Sequence, residues 1–124
     1  MRTGIALALI GAFTIAAGAA RADDGDPAAG KAVFGKCAAC HSVAAGQNKV
    51  GPSLHGVVGR HSGSVEGFSY SPAMKATNWD WTPEQLNKYL ADPRGVVTGT
   101  KMIFPGIKAD ADRANLVAYL GTLK

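Results

Sequence analysis

The chain has 124 residues, 13 basic and 9 acidic side chains, three histidines and a formal charge of +4. That length holds one small domain, and so modest a charge with no basic run argues against nucleic-acid binding. Only two cysteines are present, and neither His55 nor His61 completes a second ligand pair at zinc-finger spacing.

The N-terminal stretch reads as a secretory signal peptide, expected over residues 1–22. Arg2 gives a short positive start, Ile5 to Ala19 carries no charge, and Ala20-Arg21-Ala22 is an A-x-A cleavage site followed by Asp23-Asp24. A retained membrane anchor is the alternative. The uncharged run is barely long enough to span a bilayer, and it is rich in Ala and Gly. Cleavage leaves a domain over 23–124, with eleven basic and nine acidic side chains, a balance of +2. Nothing later in the sequence is long and apolar enough to enter a membrane.

Asp26-Pro27 is an N-cap followed by an N1 proline, and the helix it opens is expected to run to about Cys37, with Val33 and Phe34 inward. Cys37-Ala38-Ala39-Cys40-His41 is the C-x-x-C-H signature of covalent c-type haem attachment. On a helical turn the two thiols and the imidazole project from one face, so each sulfur can add to one porphyrin vinyl group while His41 reaches the iron. An exported protein can also form a Cys37–Cys40 disulfide, but the adjacent His41 favours haem. A thiol redox pair would want a βαβ pattern around C-x-x-C, which is missing.

Residues 42–69 hold six glycines and Pro52 and read as loop. Ser71-Pro72 opens a short helix through Met74 and Lys75. Thr82-Pro83-Glu84-Gln85 is a capping box, with Leu86, Tyr89 and Leu90 inward and Asp92-Pro93 as the stop. The last helix, about Ala109 to Thr122, is acidic at its start and carries Leu116, Tyr119, Leu120 and Leu123 as its apolar stripe. No strand alternation persists, so the fold class is all-α: short helices and Gly-rich loops packed around one haem, which fills a core that thin apolar content would leave empty. Without haem this chain is expected to lose its compact state.

His41 leaves one axial position of the iron open, with Met74, Met102, His55 and His61 as candidates. Context selects Met102, which lies in Gly99-Thr100-Lys101-Met102-Ile103-Phe104-Pro105-Gly106, a loop between two helices that can carry a side chain over the other haem face. A thioether there raises the reduction potential and seals the centre for electron transfer.

Taken together, Gly30…Phe34, the haem signature, Gly51-Pro52-x-Leu54-His55-Gly56, Gly59-Arg60, Gly67-Phe68-x-Tyr70, Trp81, Tyr89-Leu90-x-Asp92-Pro93 and the methionine loop stand in an order that resembles class I cytochrome c, the group of mitochondrial cytochrome c and bacterial cytochromes c2. The resemblance covers nearly all of the domain. It implies haem c bound through Cys37 and Cys40, with His41 and Met102 as iron ligands. It implies that the Pro52 carbonyl holds His41, and that Tyr89 approaches Met102. Arg60, Tyr70, Ser71, Trp81 and Thr100 would lie around the propionates, with Trp79 the rival to Trp81. Met74 departs from the animal pattern, where an Asn usually stands.

The function implied is that of a monomeric periplasmic electron carrier, not an enzyme, working between a bc1-type donor and an oxidase or photosynthetic reaction-centre acceptor. Lys36, Lys49, Lys101, Lys108 and Arg94 match family positions ringing the exposed haem edge, where partners dock. The alternative is a haem enzyme or sensor in which Met102 detaches, for which the sequence offers no acid–base constellation.

Overall fold

Four of the five helices among the described residues begin the same way, with a capping side chain followed by proline. The computed structural model describes residues 25–124, and the expected signal segment over 1–22 lies outside them. Helix α1 spans Pro27–Phe34, α2 Pro72–Lys75, α3 Pro83–Ala91, α4 Pro93–Val96 and α5 Asp110–Leu120. Asp26 accepts from the Ala28 N–H, Ser71 from Met74, Thr82 from Gln85 and Asp92 from Gly95. In each case a short side chain satisfies one of the free amides of the first turn, and the next proline lacks an amide that would have been unpaired anyway.

Some boundaries differ from expectation, and α5 ends at Leu120 rather than Thr122. Helix α1 stops at Phe34 rather than Cys37, because the chain tightens into turns: Gly35, Lys36 and Cys37 each donate to the carbonyl three residues back. The turn of the haem signature nonetheless forms, with the His41 amide donating to the Cys37 carbonyl at 2.9 Å. Asp92-Pro93 ends α3 as expected, but the same pair also starts α4, which the sequence pattern is too short to reveal.

Helices α1 and α5 pack against each other, and this contact organises the molecule. A Cβ on Gly30 would lie 1.8 Å from the Asn115 carbonyl oxygen, so the two backbones meet at a point where only glycine fits. Phe34 and Tyr119 pack beside it with ring centroids 5.5 Å apart. Leu116 is fully buried, with Leu120 and Val117 nearly so, against Phe34, Leu86, Tyr89, Leu90 and Ile107.

Arg113 is buried too, which its charge conceals in the sequence. Its guanidinium donates to Asn87 Oδ1 at 2.9 Å and to the carbonyls of Ile107 and Lys108 at 2.8 and 3.0 Å, and pairs with Asp110. The buried charge is tolerated because nearly every donor is used. It ties α5 to α3 and to the segment entering α5.

The long loop is held by its own backbone. Gly51 donates to Cys40, Leu54 to Ser42, Gly59 to Trp81, and Trp81 to Arg60, each at 2.8–2.9 Å. Among the described residues there is only an isolated bridge, His61 to Asp80, and no named strand. No helix among them is long and apolar enough to cross a membrane.

Candidate functional site

A cavity of about 450 Å³ opens between the haem-signature turn, the long loop, α3, α5 and the methionine loop. Its wall carries Cys37, Cys40, His41, Arg60, Tyr70, Trp81, Thr100 and Met102, every cofactor-binding residue that the sequence singles out, and also Pro52, Ser71 and Tyr89. Leu86, Leu90, Leu116 and Leu120 line it as well, so its surface is mainly apolar. Of the rival ligands, Met74 lines the cavity, whereas His55 and His61 do not.

His41 is fixed from behind. Its Nδ1 lies 2.7 Å from the Pro52 carbonyl oxygen, which as an acceptor places the ring proton on Nδ1 and leaves the Nε2 lone pair free. Burial pulls the imidazole below its ordinary pKa, opposed by the Pro52 bond and aided by Arg60 and Lys49, so the ring is neutral at physiological pH. Gly51 covers the ring. A Cβ there would lie 2.3 Å from Cε1 and within 2.8 Å of both ring nitrogens. Gly51→Ala is therefore expected to destabilise the protein by about 2 kcal/mol, lowering its midpoint by roughly 10 °C in a melting scan of the holoprotein. An unchanged midpoint would show that the His41 ring has room to move.

Cys37 and Cys40 are not joined to each other by a disulfide. Burial raises the pKa of Cys37 above the ordinary thiol value, with Lys36 pulling the other way and Cys40 adding to the rise. Met102 is half-buried, and the Tyr89 hydroxyl donates to its sulfur at 3.7 Å. Burial also pushes the Tyr89 phenol up, partly offset by the Thr100 hydroxyl. The phenol thus keeps the proton it donates. Met74 sits on α2 with its sulfur 3.7 Å from the Thr77 hydroxyl, which in turn reaches Ser62 at 2.8 Å.

Arg60 brings an under-bonded cation to the cavity wall. Its Nη1 donates to the Ser53 and His55 carbonyls at 2.9 and 3.3 Å, but its Nε is buried with no partner. Burial lowers the guanidinium pKa, so desolvation costs the charge more than its neighbours return. A bound carboxylate would supply what is missing. Trp81 lines the cavity and Trp79 does not, standing edge-on to Trp81 at 5.8 Å. That settles which indole faces the pocket.

The family model for cytochrome c matches residues 27–124. The chain belongs to the cytochrome c family. Cytochrome c-550 of Nitrobacter winogradskyi is 54% identical over 97 residues, covering 77% of this chain and 89% of that protein. Cytochrome c2 of Blastochloris viridis is 46% identical over 113 residues, covering 90% and 89%. Among solved structures, cytochrome cH from Methylobacterium extorquens superposes with a TM-score of 0.75 at 43% identity, covering 79% of this chain and 99% of that one.

Family membership makes this an all-α cytochrome c with one covalently attached c-type haem, an electron-transfer protein and not an enzyme. The residues present fit that group. Two thiols and a neutral imidazole share one turn, the walls are apolar, and an under-bonded arginine waits for an acid. Sequence reasoning gave no cavity role to Val50 and Ile103, which border it while 75% and 87% exposed. An apolar residue beside each motif was the only available signal.

Proposed function

We propose that the chain is a diffusible, monomeric one-electron carrier of the bacterial periplasm, exported by the segment over 1–22 and working as a domain over 23–124. In this reading it takes electrons from a bc1-type membrane complex and delivers them to a terminal oxidase or a photosynthetic reaction centre. Similarity to a cytochrome c2 and a cytochrome c-550 supports this reading. The observation that carries it is that His41 and Met102, from distant parts of the chain, line one apolar cavity with both cysteines.

Cys37 and Cys40 would hold the haem, His41 and Met102 would ligate its iron, and Arg60, Tyr70, Ser71, Trp81 and Thr100 would gather around its propionates. When bound, the haem supplies one-electron exchange at iron with two ligands kept in both oxidation states. The protein's part is to hold those ligands still. Pro52 and Gly51 fix the plane of the imidazole, and Tyr89 orients the thioether. The leucines of α3 and α5 exclude water.

At the mouth, exposed Val50 and Ile103 lie beside Lys36 and Lys101, an apolar centre with a basic rim suited to brief docking on an acidic partner. Lys49 Nζ donates to the Ala38 carbonyl at 2.8 Å and Lys108 Nζ to Ala91 at 3.1 Å. These two cations are thus held in place while remaining exposed.

The test is stopped-flow kinetics of the reduced and oxidised holoprotein against bc1-type complexes, oxidases and reaction centres. Rates with a true partner are expected to fall by about tenfold between low and roughly 0.2 M salt. Slow, salt-indifferent transfer to all of them would defeat this reading. Mass analysis of protein recovered from bacterial periplasm is expected to show an N-terminus at Asp23.

A further inference from the structure

Two consecutive backbone carbonyls hold two of the polar groups on the cavity wall. Pro52 accepts from His41 Nδ1 at 2.7 Å, and Ser53 accepts from Arg60 Nη1 at 2.9 Å. The other edge of each peptide plane is held too. The Ser53 amide donates to Asn48 Oδ1 at 3.0 Å, and the Leu54 amide donates to the Ser42 carbonyl at 2.9 Å. A peptide unit is rigid and planar, so each one links what is bonded at its two edges. The first unit joins Asn48 to the His41 ring. The second joins Arg60 to Ser42, the residue after His41. Ser53 Cα is the pivot between them, and its side chain fixes that pivot. Ser53 is 3% exposed, and its hydroxyl donates to the Ala44 carbonyl at 2.6 Å while accepting from the His55 amide at 3.2 Å.

We propose that Ser53 is a positioning residue that couples Arg60 to the His41 imidazole: by locking the two peptide planes together, it lets the partner of Arg60 set how firmly Pro52 holds the ring. The proposal rests on His41 being an iron ligand and concerns what tunes that ligand. Hydrogen bonds in a chain polarise one another, so an amide whose N–H is engaged is the better acceptor at its carbonyl. Asn48 thus strengthens the grip of Pro52. A firmly held imidazole is the more basic ligand, which favours the oxidised metal. Loosening it should therefore raise the reduction potential. A serine serving only to fill space would have no need to donate and accept in the same buried position.

The test follows exchange of the His41 Nδ1 proton by NMR in the reduced holoprotein, with a redox titration in parallel. Ser53→Ala and Asn48→Ala are each expected to speed that exchange about tenfold and to raise the potential. Arg60→Gln changes a side chain bonded to Ser53 and His55, not to His41, yet should speed the exchange about threefold. Combined with Ser53→Ala it should add little. Ser53→Thr, which keeps the hydroxyl, should preserve the original rate. So should Asn48→Asp, which keeps the acceptor for Ser53 and loses only the donor to the Glu66 carbonyl. Thr82→Ala removes the α3 cap and controls for lost stability. Unchanged exchange in Ser53→Ala or Arg60→Gln, or an equal change in Thr82→Ala, would overturn the coupling while leaving His41 as ligand. If Ser53→Ala does not fold, Arg60→Gln decides. His41 ring protons at ordinary chemical shifts in the unaltered protein, untouched by a haem ring current, would overturn the ligand assignment, and the coupling with it.

Discussion

Met102→Leu is expected to remove the sulfur–iron absorption band of the oxidised protein, to lower the reduction potential, and to open the iron to cyanide or imidazole. Leucine nearly conserves the volume of methionine, so the half-buried loop keeps its packing and the change isolates the sulfur. A thioether favours the reduced iron. If that preference amounts to about a hundredfold, a one-electron couple at 59 mV per decade falls by roughly 120 mV. Met102→Ala should do the same but with a further stability loss of about 2 kcal/mol or more, because it also leaves a gap beside Tyr89. Redox titration and visible spectroscopy decide the matter. A potential and band untouched by either change would move the axial role to Met74, the other thioether on the cavity wall.

A Cys37→Ala/Cys40→Ala chain, unable to hold its haem covalently, is expected to lose cooperative folding. The haem pocket measures about 450 Å³, and at roughly 24 cal/mol per Å³ an empty cavity of that size costs on the order of 11 kcal/mol. That equals the whole net stability of an ordinary small domain, about 5–15 kcal/mol. No rearrangement of side chains can fill the space cheaply, since α1, α3 and α5 are joined by Gly30, Arg113 and the segment before α5 rather than by surplus apolar surface. Far-ultraviolet circular dichroism should show much reduced helix and no sharp thermal transition. A native-like melting curve in the haem-free chain would mean that the helices close on themselves.

What the sequence makes legible, and what it hides, follows from how local each signal is. The Asp26, Ser71 and Thr82 caps need only their own next three residues, so their helices could be placed within a residue or so at the start. The haem signature is likewise one turn of chain. The methionine loop is legible because glycine at both ends and helices on both sides mark it as a segment free to reach over something. By contrast, the burial of Arg113 depends on Asn87 and the Ile107 carbonyl arriving from elsewhere. The close fit of Gly51 on the His41 ring depends on the loop folding back on the signature turn. Helix α4 is four residues long and has no periodicity to detect. The end of α1 is hidden in the sequence because the turns that follow it share its hydrogen-bonding direction and differ only in pitch.

The junction of α1 and α5 also bears on the order of events during synthesis. Phe34 of α1 packs on Tyr119 of α5, and Gly30 meets the backbone of Asn115, in the last part of the domain to be made. A polypeptide emerging from a ribosome or a translocation pore presents its C-x-x-C-H turn long before the covering helix exists. Closure of such a distant contact is also slow in a complete chain. The two thiols are therefore open to a ligation machinery during that interval, and the arrival of the final helix locks the attached pigment in place.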